Sequence, residues 1–460
     1  MNNNRAFSSS LWRGKSFNTA ETTLLASFIF IVWFSRFYLI NHFGNITPFW
    51  DEWDMGAARI YVPFVDGSLD WTVFLSAHNE HRLFTERIVA LSLFLLDGNV
   101  WNPLLIMQVN AVIYVAAVAF ITSKLSGLFV GRLHVLIFVI AAGITIPPYS
   151  WENTLFSLSG SQNYNYLLLN AVFLWAMASC RSDTFRWWFG LVIGWLAVFT
   201  AASGAVTLAV GTLTVCVRRF WLRDSGASVW SIVILIVLTA TAVAITPKVD
   251  GSELLRAHSV GQFANAFLVG ASWPFSPNIL AGISIHAPLL IFSGLFLLRR
   301  IPSTPETLYT LSLAAWLYVL LLLFSFGRAP IASSSRYLDV HAIGLVLNAA
   351  ALLYLFSRLA SDWKWRAVLL VLLWVCFVAC GLVLSFDKWD KEVCLKAAQS
   401  LEQENNVRGY LLTKNPAFLL NKPHLAIPYP DAERLKSLLD SGTIQALLPP
   451  ELSRESKVRQ

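Results

Sequence analysis

Asp51-Glu52-Trp53-Asp54 places three carboxylates within four residues, directly after the first apolar stretch of a chain otherwise built for lipid. A carboxylate there can act as a general base, accept hydrogen bonds from a sugar, or ligate a divalent cation. The competing reading is a solvated loop whose acids favour the start of the next helix. Further on, His78-Asn79-Glu80-His81-Arg82 adds two imidazoles, an acid and a guanidinium, with Glu86 and Arg87 behind them. Two histidines three residues apart with no further ligand cluster are a weak zinc signature, so no metal site is assigned. Hydrogen bonds from His78, His81 and Arg82 to an anionic group, or ion pairs with local acids, suit these side chains better.

Two later blocks could complete such a site. Trp151-Glu152-Asn153-Thr154 and Gln162-Asn163-Tyr164-Asn165-Tyr166 combine a carboxylate, amides and aromatic faces, the usual means of contacting a sugar. An interfacial aromatic belt would use the same Trp and Tyr residues. With His78, Glu80 and His81, the residues Trp151, Glu152, Asn153 and Gln162 form the candidate acceptor or sugar contacts. Arg328 and Arg336 lie in one short loop ending at Tyr337 and a new apolar segment. Two cations at a membrane mouth suit a lipid-borne phosphate, and Arg82 and Tyr337 join that set.

The elements that must position these residues are apolar. Hydrophobic residues make up 56% of the 460 and charged residues 13%, with a mean hydropathy of +0.59, which excludes an ordinary soluble domain. A bilayer core about 30 Å thick needs about 20 apolar residues per helix. The predicted spans are Thr22–Ile40, Leu104–Ser123, Leu128–Ile146, Tyr164–Ala178, Val229–Ile245, Ile279–Leu298, Leu308–Phe326, Leu338–Phe356 and Val368–Leu384. Trp187–Val217 is too long for one crossing and breaks at Ala202-Ser203-Gly204 into two short helices. The expected fold class is therefore an all-α polytopic membrane protein of about eleven transmembrane helices. Glu86–Leu96 is too short to cross and is read as interfacial or re-entrant.

Basic residues in alternate loops, among them Lys124, Arg181, Arg218, Arg299 and Arg358, together with Arg5, Arg13 and Lys15, predict a cytoplasmic N-terminus and an external or periplasmic C-terminus. The expected organisation is a cytoplasmic segment 1–21, a polytopic domain 22–385 with an external first loop 41–84, and an external tail 386–460 containing a short helix around Ala432–Leu439. The net charge of +7 is absorbed by the topogenic loops, so nucleic acid is not an expected partner. The first span is expected to remain as an anchor. Four of five cysteines lie in or beside predicted spans, leaving Cys394 alone outside and implying no disulfide framework.

Asp51-Glu52 after a single span, followed by Ala57-Ala58-Arg59, resembles the first-loop signature of polytopic GT-C glycosyltransferases. The chain is most similar to a set of bacterial membrane proteins with a Trp-Asp-x-Trp-Asp loop. The shared blocks are Phe49–Asp54, His78–Arg82, Trp151–Leu155, Ala202–Gly204, Ser335–Tyr337 and Tyr429–Leu452. The resemblance implies a lipid bilayer enzyme of the inner membrane that moves a sugar from a polyprenyl-phosphate donor to a glycan or lipid acceptor in the cell envelope. It implies Asp51 as general base, Glu52 or Asp54 as its helper, and Arg336 with Tyr337 on the leaving lipid phosphate. No cofactor is implied, and a divalent cation stays an open option. A His-rich segment replaces the family's usual Pro-Pro stretch. A transporter or flippase for an amphipathic substrate is the competing class, although the predicted spans hold few polar groups beyond Arg36, Asn110, Asn170 and Asn348.

Overall fold

The computed structural model describes residues 19–249, 251–358 and 364–453; the N-terminal Arg5, Arg13 and Lys15 lie outside them. Helix accounts for 77% of the chain and the described residues contain no strand, so the architecture is all-α. In chain order come α1 (Thr19–Phe43), a π-helix (Trp53–Tyr61) running into α2 (Val62–Val65), α3 (Phe84–Leu96), α4 (Pro103–Ser126), α5 (Arg132–Thr145) and α6 (Trp151–Leu155). Then follow α7 (Ser157–Ser179), α8 (Phe185–Thr200), α9 (Gly204–Cys216), α10 (Val229–Ile245), α11 (Val260–Ser272) and α12 (Ile279–Leu297). The last are α13 (Pro305–Gly327), α14 (Leu338–Ser357), α15 (Lys364–Thr413), α16 (Ala432–Asp440), α17 (Gly442–Leu447) and α18 (Pro450–Ser453).

Six of these are long and apolar enough to cross a membrane: α1, α4, α12, α13, α14 with its preceding turn, and α15. That makes the chain a membrane protein. Of the shorter apolar helices, α5 at 14 residues falls inside the expected Leu128–Ile146, α10 keeps the expected bounds Val229–Ile245, and the 16-residue α8 is one of the two short helices expected from Trp187–Val217. The 13-residue α3 rises only about 20 Å, too little for a crossing.

Local chemistry fixes the helix boundaries. Asn102, Thr184, Ser228, Ser259, Asn278 and Thr304 each accept a backbone N–H in the first turn of the helix they precede. Pro103 and Pro305 add a preset φ at the start of α4 and α13. The α8–α9 break falls at the Ala202-Ser203 turn, and Gly204 is needed there: a Cβ would lie 2.3 Å from the Ala197 carbonyl oxygen. Inside α12, Pro288 cannot donate to the Ser284 carbonyl, which accepts the Trp374 indole N–H at 3.1 Å instead. Asn348 of α14 satisfies the neighbouring Leu289 N–H at 3.2 Å.

The tail is not a separate body. Helix α15 continues without a break across the expected boundary at 385–386, and its 50 residues rise about 75 Å. Val407 and Tyr410 near its end share one apolar core with Trp53, Tyr61, Phe94 and Trp101, and with Leu435, Leu439 and Leu447 from the segments that follow. The Trp50 N–H donates to Pro428 O at 2.7 Å and the Trp101 N–H to Leu447 O at 2.7 Å. First loop and tail thus form a single cap over one end of the bundle. At the opposite end, Arg218 and Asp224 form a buried pair at 2.6 Å, with Arg218 also donating to the Met177 and Cys180 carbonyls.

Candidate functional site

Under the cap lies a cavity of about 1380 Å³, open on one side. One end is polar, built from Asp51, the His78–His81 hairpin, Gln162, Asn163, the Ala201–Ser203 turn and the segment Gly327–Asp339. The rest is apolar, running between Val206, Val210 and Leu213 of α9, Val243 of α10, and Trp316, Leu320 and Leu323 of α13. Four cations, Lys248, Arg256, Arg328 and Arg336, line it. Lys248 and Arg256 carry no motif and were not anticipated; only their place after α10 brings them there.

A second cavity of about 660 Å³ lies beneath the tail, lined by Asp51, Asp54, Ala58, Arg59, Ala77, His78, Asn79 and Arg434. Asp51, His78 and Asn79 belong to both cavities. The His78 Nε2 lies 3.2 Å from Asp51 Oδ2. A carboxylate only accepts, so Nε2 carries the proton and Asp51 keeps Oδ1 for another donor. This pairing joins residues 27 apart, which no local spacing reveals.

Backbone geometry sets both partners. Trp50 sits in the left-handed region at φ 51°, turning the chain into the π-helix that follows Asp51. Asn79, at φ 50°, forms the tip of a tight hairpin in which the His78 N–H donates to His81 O at 2.7 Å and the His81 N–H donates to His78 O at 3.0 Å. His81 Nδ1 accepts the Ala202 N–H at 3.1 Å, which puts the ring proton on Nε2 and explains why the Ala202–Gly204 turn belongs to the site. Burial, with His78 and Arg336 nearby, pushes the His81 pKa down to about 4. The two imidazoles therefore serve different partners and do not converge on a zinc position.

The other sequence-predicted residues divide sharply. Glu52 faces neither cavity: its Oε1 accepts Ser157 Oγ and the Leu158 N–H (3.1 Å), its Oε2 the Phe49 N–H (2.9 Å). Burial raises its pKa against those hydrogen bonds. Glu52 is a clamp between the first loop and α7, a correction to its expected role beside the base. Asp54 is occupied as well. Tyr429 donates to Oδ2, and Arg434 to Oδ1 from Nε (3.2 Å) and Nη2 (2.9 Å). Against a burial penalty, these bonds hold Asp54 below the usual carboxylate range. Its role is to dock the tail.

Trp151, Glu152 and Asn153 line neither cavity, which corrects the expectation of a sugar-contacting patch. Trp151 Nε1 donates to Glu392 Oε2 at 2.9 Å. Glu152 Oε2 accepts Ser334 Oγ (2.8 Å), Ser335 Oγ (2.7 Å) and the Arg336 N–H (3.2 Å), while Oε1 takes Arg336 Nη2 (3.0 Å). Despite burial, Arg336 and those hydroxyls hold its pKa down. Asn153 Nδ2 donates to Arg336 O and to Asp339 Oδ2. The block fixes the loop that presents Arg336 and Tyr337 to the cavity.

Arg82 is also corrected. Its guanidinium donates to Leu75 O (2.6 Å) and Ile245 O (2.8 Å), closing the end of α10 and leaving the cavity to others. Arg328 pairs with Glu80, and both line the cavity. Tyr337 stacks on Phe324 with centroids 4.5 Å apart. Gln162 lies on α7, not in a loop, and faces the cavity. Below, Arg36 is fully buried and donates to Thr154 Oγ1, Tyr114 OH and Thr145 O, tying α1, α4, α5 and α6 together beneath the site. In α3, Glu86 is buried with Oε1 unpaired among the described residues, and burial pushes its pKa up to about 8.

No family model, curated protein or solved structure matches the chain.

Proposed function

We propose that the chain is a membrane glycosyltransferase of the GT-C kind, moving a sugar from a polyprenyl-phosphate donor to a cell-envelope acceptor. The observation that carries this reading is the Asp51–His78 pair in the wall common to two cavities, one long and largely apolar, the other small and polar. Two substrates of different character need two chambers, and the reacting atoms must meet where the chambers touch.

The polyprenyl chain lies along α9, α10 and α13, with its phosphate among Lys248, Arg256, Arg328, Arg336 and Tyr337. The acceptor enters from the smaller cavity, and its hydroxyl donates to the free Oδ1 of Asp51. As the acceptor oxygen bonds to the anomeric carbon, the bond from that carbon to the phosphate oxygen breaks and the hydroxyl proton passes to Asp51. The leaving phosphate keeps the electron pair, and the cations offset its charge in a site partly withdrawn from water. His78 orients the carboxylate. Counting α5, α7, α8, α9 and α10 with the six longer apolar helices gives eleven crossings, with the cap on the external or periplasmic face of the inner membrane and the N-terminus inside.

A flippase is the second reading, favoured by the depth to which the larger cavity runs between apolar helix faces. Mass spectrometry of lipid-linked sugars and surface glycans separates the two. Cells carrying Asp51→Asn should show normal amounts of the protein in the membrane, one missing sugar on the glycan and accumulated donor. Full retention of transfer by Asp51→Asn sinks the proposal, and accumulation of unflipped lipid with unchanged transfer chemistry points to the flippase.

A further inference from the structure

The geometry of the smaller cavity points to an acceptor that carries an acid group, a carboxylate or a phosphate, recognised by Arg59 with Arg434 while its attacking hydroxyl faces Asp51. The role of that hydroxyl rests on the glycosyl-transfer reading; recognition of the acid rests on the cavity alone.

Asp54, the nearest neutralising group, is saturated: Tyr429 takes Oδ2, and Arg434 takes Oδ1 through two nitrogens. Arg59 projects from the π-helix into the same space, exposed, with no ion pair or hydrogen bond among the described residues. Among the described residues Asp51 is engaged on one oxygen only, by His78, and its side chain is 45% exposed. Although both groups line one cavity, they do not pair with each other. Among the described residues the chamber thus offers an open acceptor atom on one side and an open guanidinium on another, with Nη1 of Arg434 also unengaged.

A neutral sugar offers the guanidinium hydroxyl oxygens but no charge. Arg59 then keeps only the coulombic attraction of Asp54, whose oxygens are already taken by Tyr429 and Arg434. A sugar bearing both a hydroxyl and an acid satisfies both, because the planar guanidinium matches either a carboxylate or a phosphate through paired N–H donors. A volume of about 660 Å³ lies in the range of small-ligand sites and has room for a ring and its acid substituent. The tail is then part of specificity, since it supplies Arg434 and, through Tyr429 and Arg434, occupies both Asp54 oxygens.

Full-length protein in nanodiscs, titrated by ligand-detected NMR with glucuronate, glucose 6-phosphate and glucose, tests this. At least one acid should bind about tenfold or more tightly than glucose, as one charge-assisted contact predicts. The tighter of the two identifies the carboxylate or the phosphate as the natural group. The preference should shrink with added salt, vanish in Arg59→Gln, survive partly in Arg59→Lys and persist in Asp51→Asn. Equal binding of all three sugars, or an undiminished preference in Arg59→Gln, overturns the inference and leaves Arg59 a solvated surface residue. Acid preference in the wild type combined with intact glycans in Asp51→Asn cells would instead remove the transfer reading and leave acid recognition standing.

Discussion

Asp51–His78 and Glu152–Arg336 are both acid–base pairs under the same cap, at 3.2 and 3.0 Å, yet they are built for opposite purposes. Glu152 receives four hydrogen bonds and is 21% exposed; Asp51 receives one and is 45% exposed. A carboxylate with all its acceptor positions filled can only hold structure. One with an oxygen left over in a cavity can take a proton from something that arrives. Unused valence, more than charge or position along the chain, separates the two classes here. Glu52 and Asp54 fall on the closed side although they are Asp51's neighbours.

The sharpest way to break this contrast is activity. Asp51→Asn should reduce glycosyl transfer by about 10²–10⁴-fold, the usual contribution of a positioned general base, with an unchanged thermal unfolding midpoint. Glu152→Ala should do the reverse in stability. It strips Arg336, 42% exposed, of its partner and two seryl hydroxyls of their acceptor, and should cost about 1–2 kcal/mol in denaturant unfolding, whereas Asp51→Ala should stay within about 0.5 kcal/mol. If both substitutions destabilise equally, the division by valence is wrong.

Glu86 sharpens the comparison from a third side, being closed off without being satisfied. Its folded pKa, about 8, lies above the unfolded value of 4.5, so its contribution to stability is present below pH 4.5 and is lost as pH rises through 8. Glu86→Gln should match the wild type near pH 5 and exceed it at pH 9, by up to about 1.4 kcal/mol for each pH unit spent between those limits. Scans at the two pH values check the sign. The smallest effect belongs to Asp54→Asn. This half-exposed pair with Arg434 is screened by solvent and should contribute about 1 kcal/mol or less. Faster deuterium uptake over residues 428–436, with the bundle unchanged, would show it. In the wild type the depressed Asp54 pKa means docking is fully present above pH 3.8 and lost as pH falls through its folded value.

Helix type and the α8–α9 break were legible in the sequence because apolar length and a Ser-Gly turn are local properties. So was the set of blocks that meet at the cavity, in that Asp51, His78, Glu80, His81, Gln162, Arg328, Arg336 and Tyr337 all line it. The division of labour among the acids was not. Whether Glu152 touches a ligand or staples a loop depends on Ser334 and Ser335, more than 180 residues away. The Asp54 contacts lie 375 and 380 residues off, beyond any pattern within a segment. Six of the expected spans are long and apolar enough to cross by length and composition alone; α5, α8 and α10 are apolar but shorter, and hydropathy does not register where a helix stops. Lys248 and Arg256 carry no motif, and Arg59 entered only as part of a family-like block; what brings them to the cavities is the packing of segments distant in sequence.

The unbroken α15 gives the cap a mechanical footing. A rod of about 75 Å that lies along the edge of the bundle for one half and packs into the cap by the other behaves as a lever, and a tilt of about 5° about its middle displaces each end by about 3 Å. That is the width of a hydrogen bond, enough to make or break the seat of Tyr429 on Asp54.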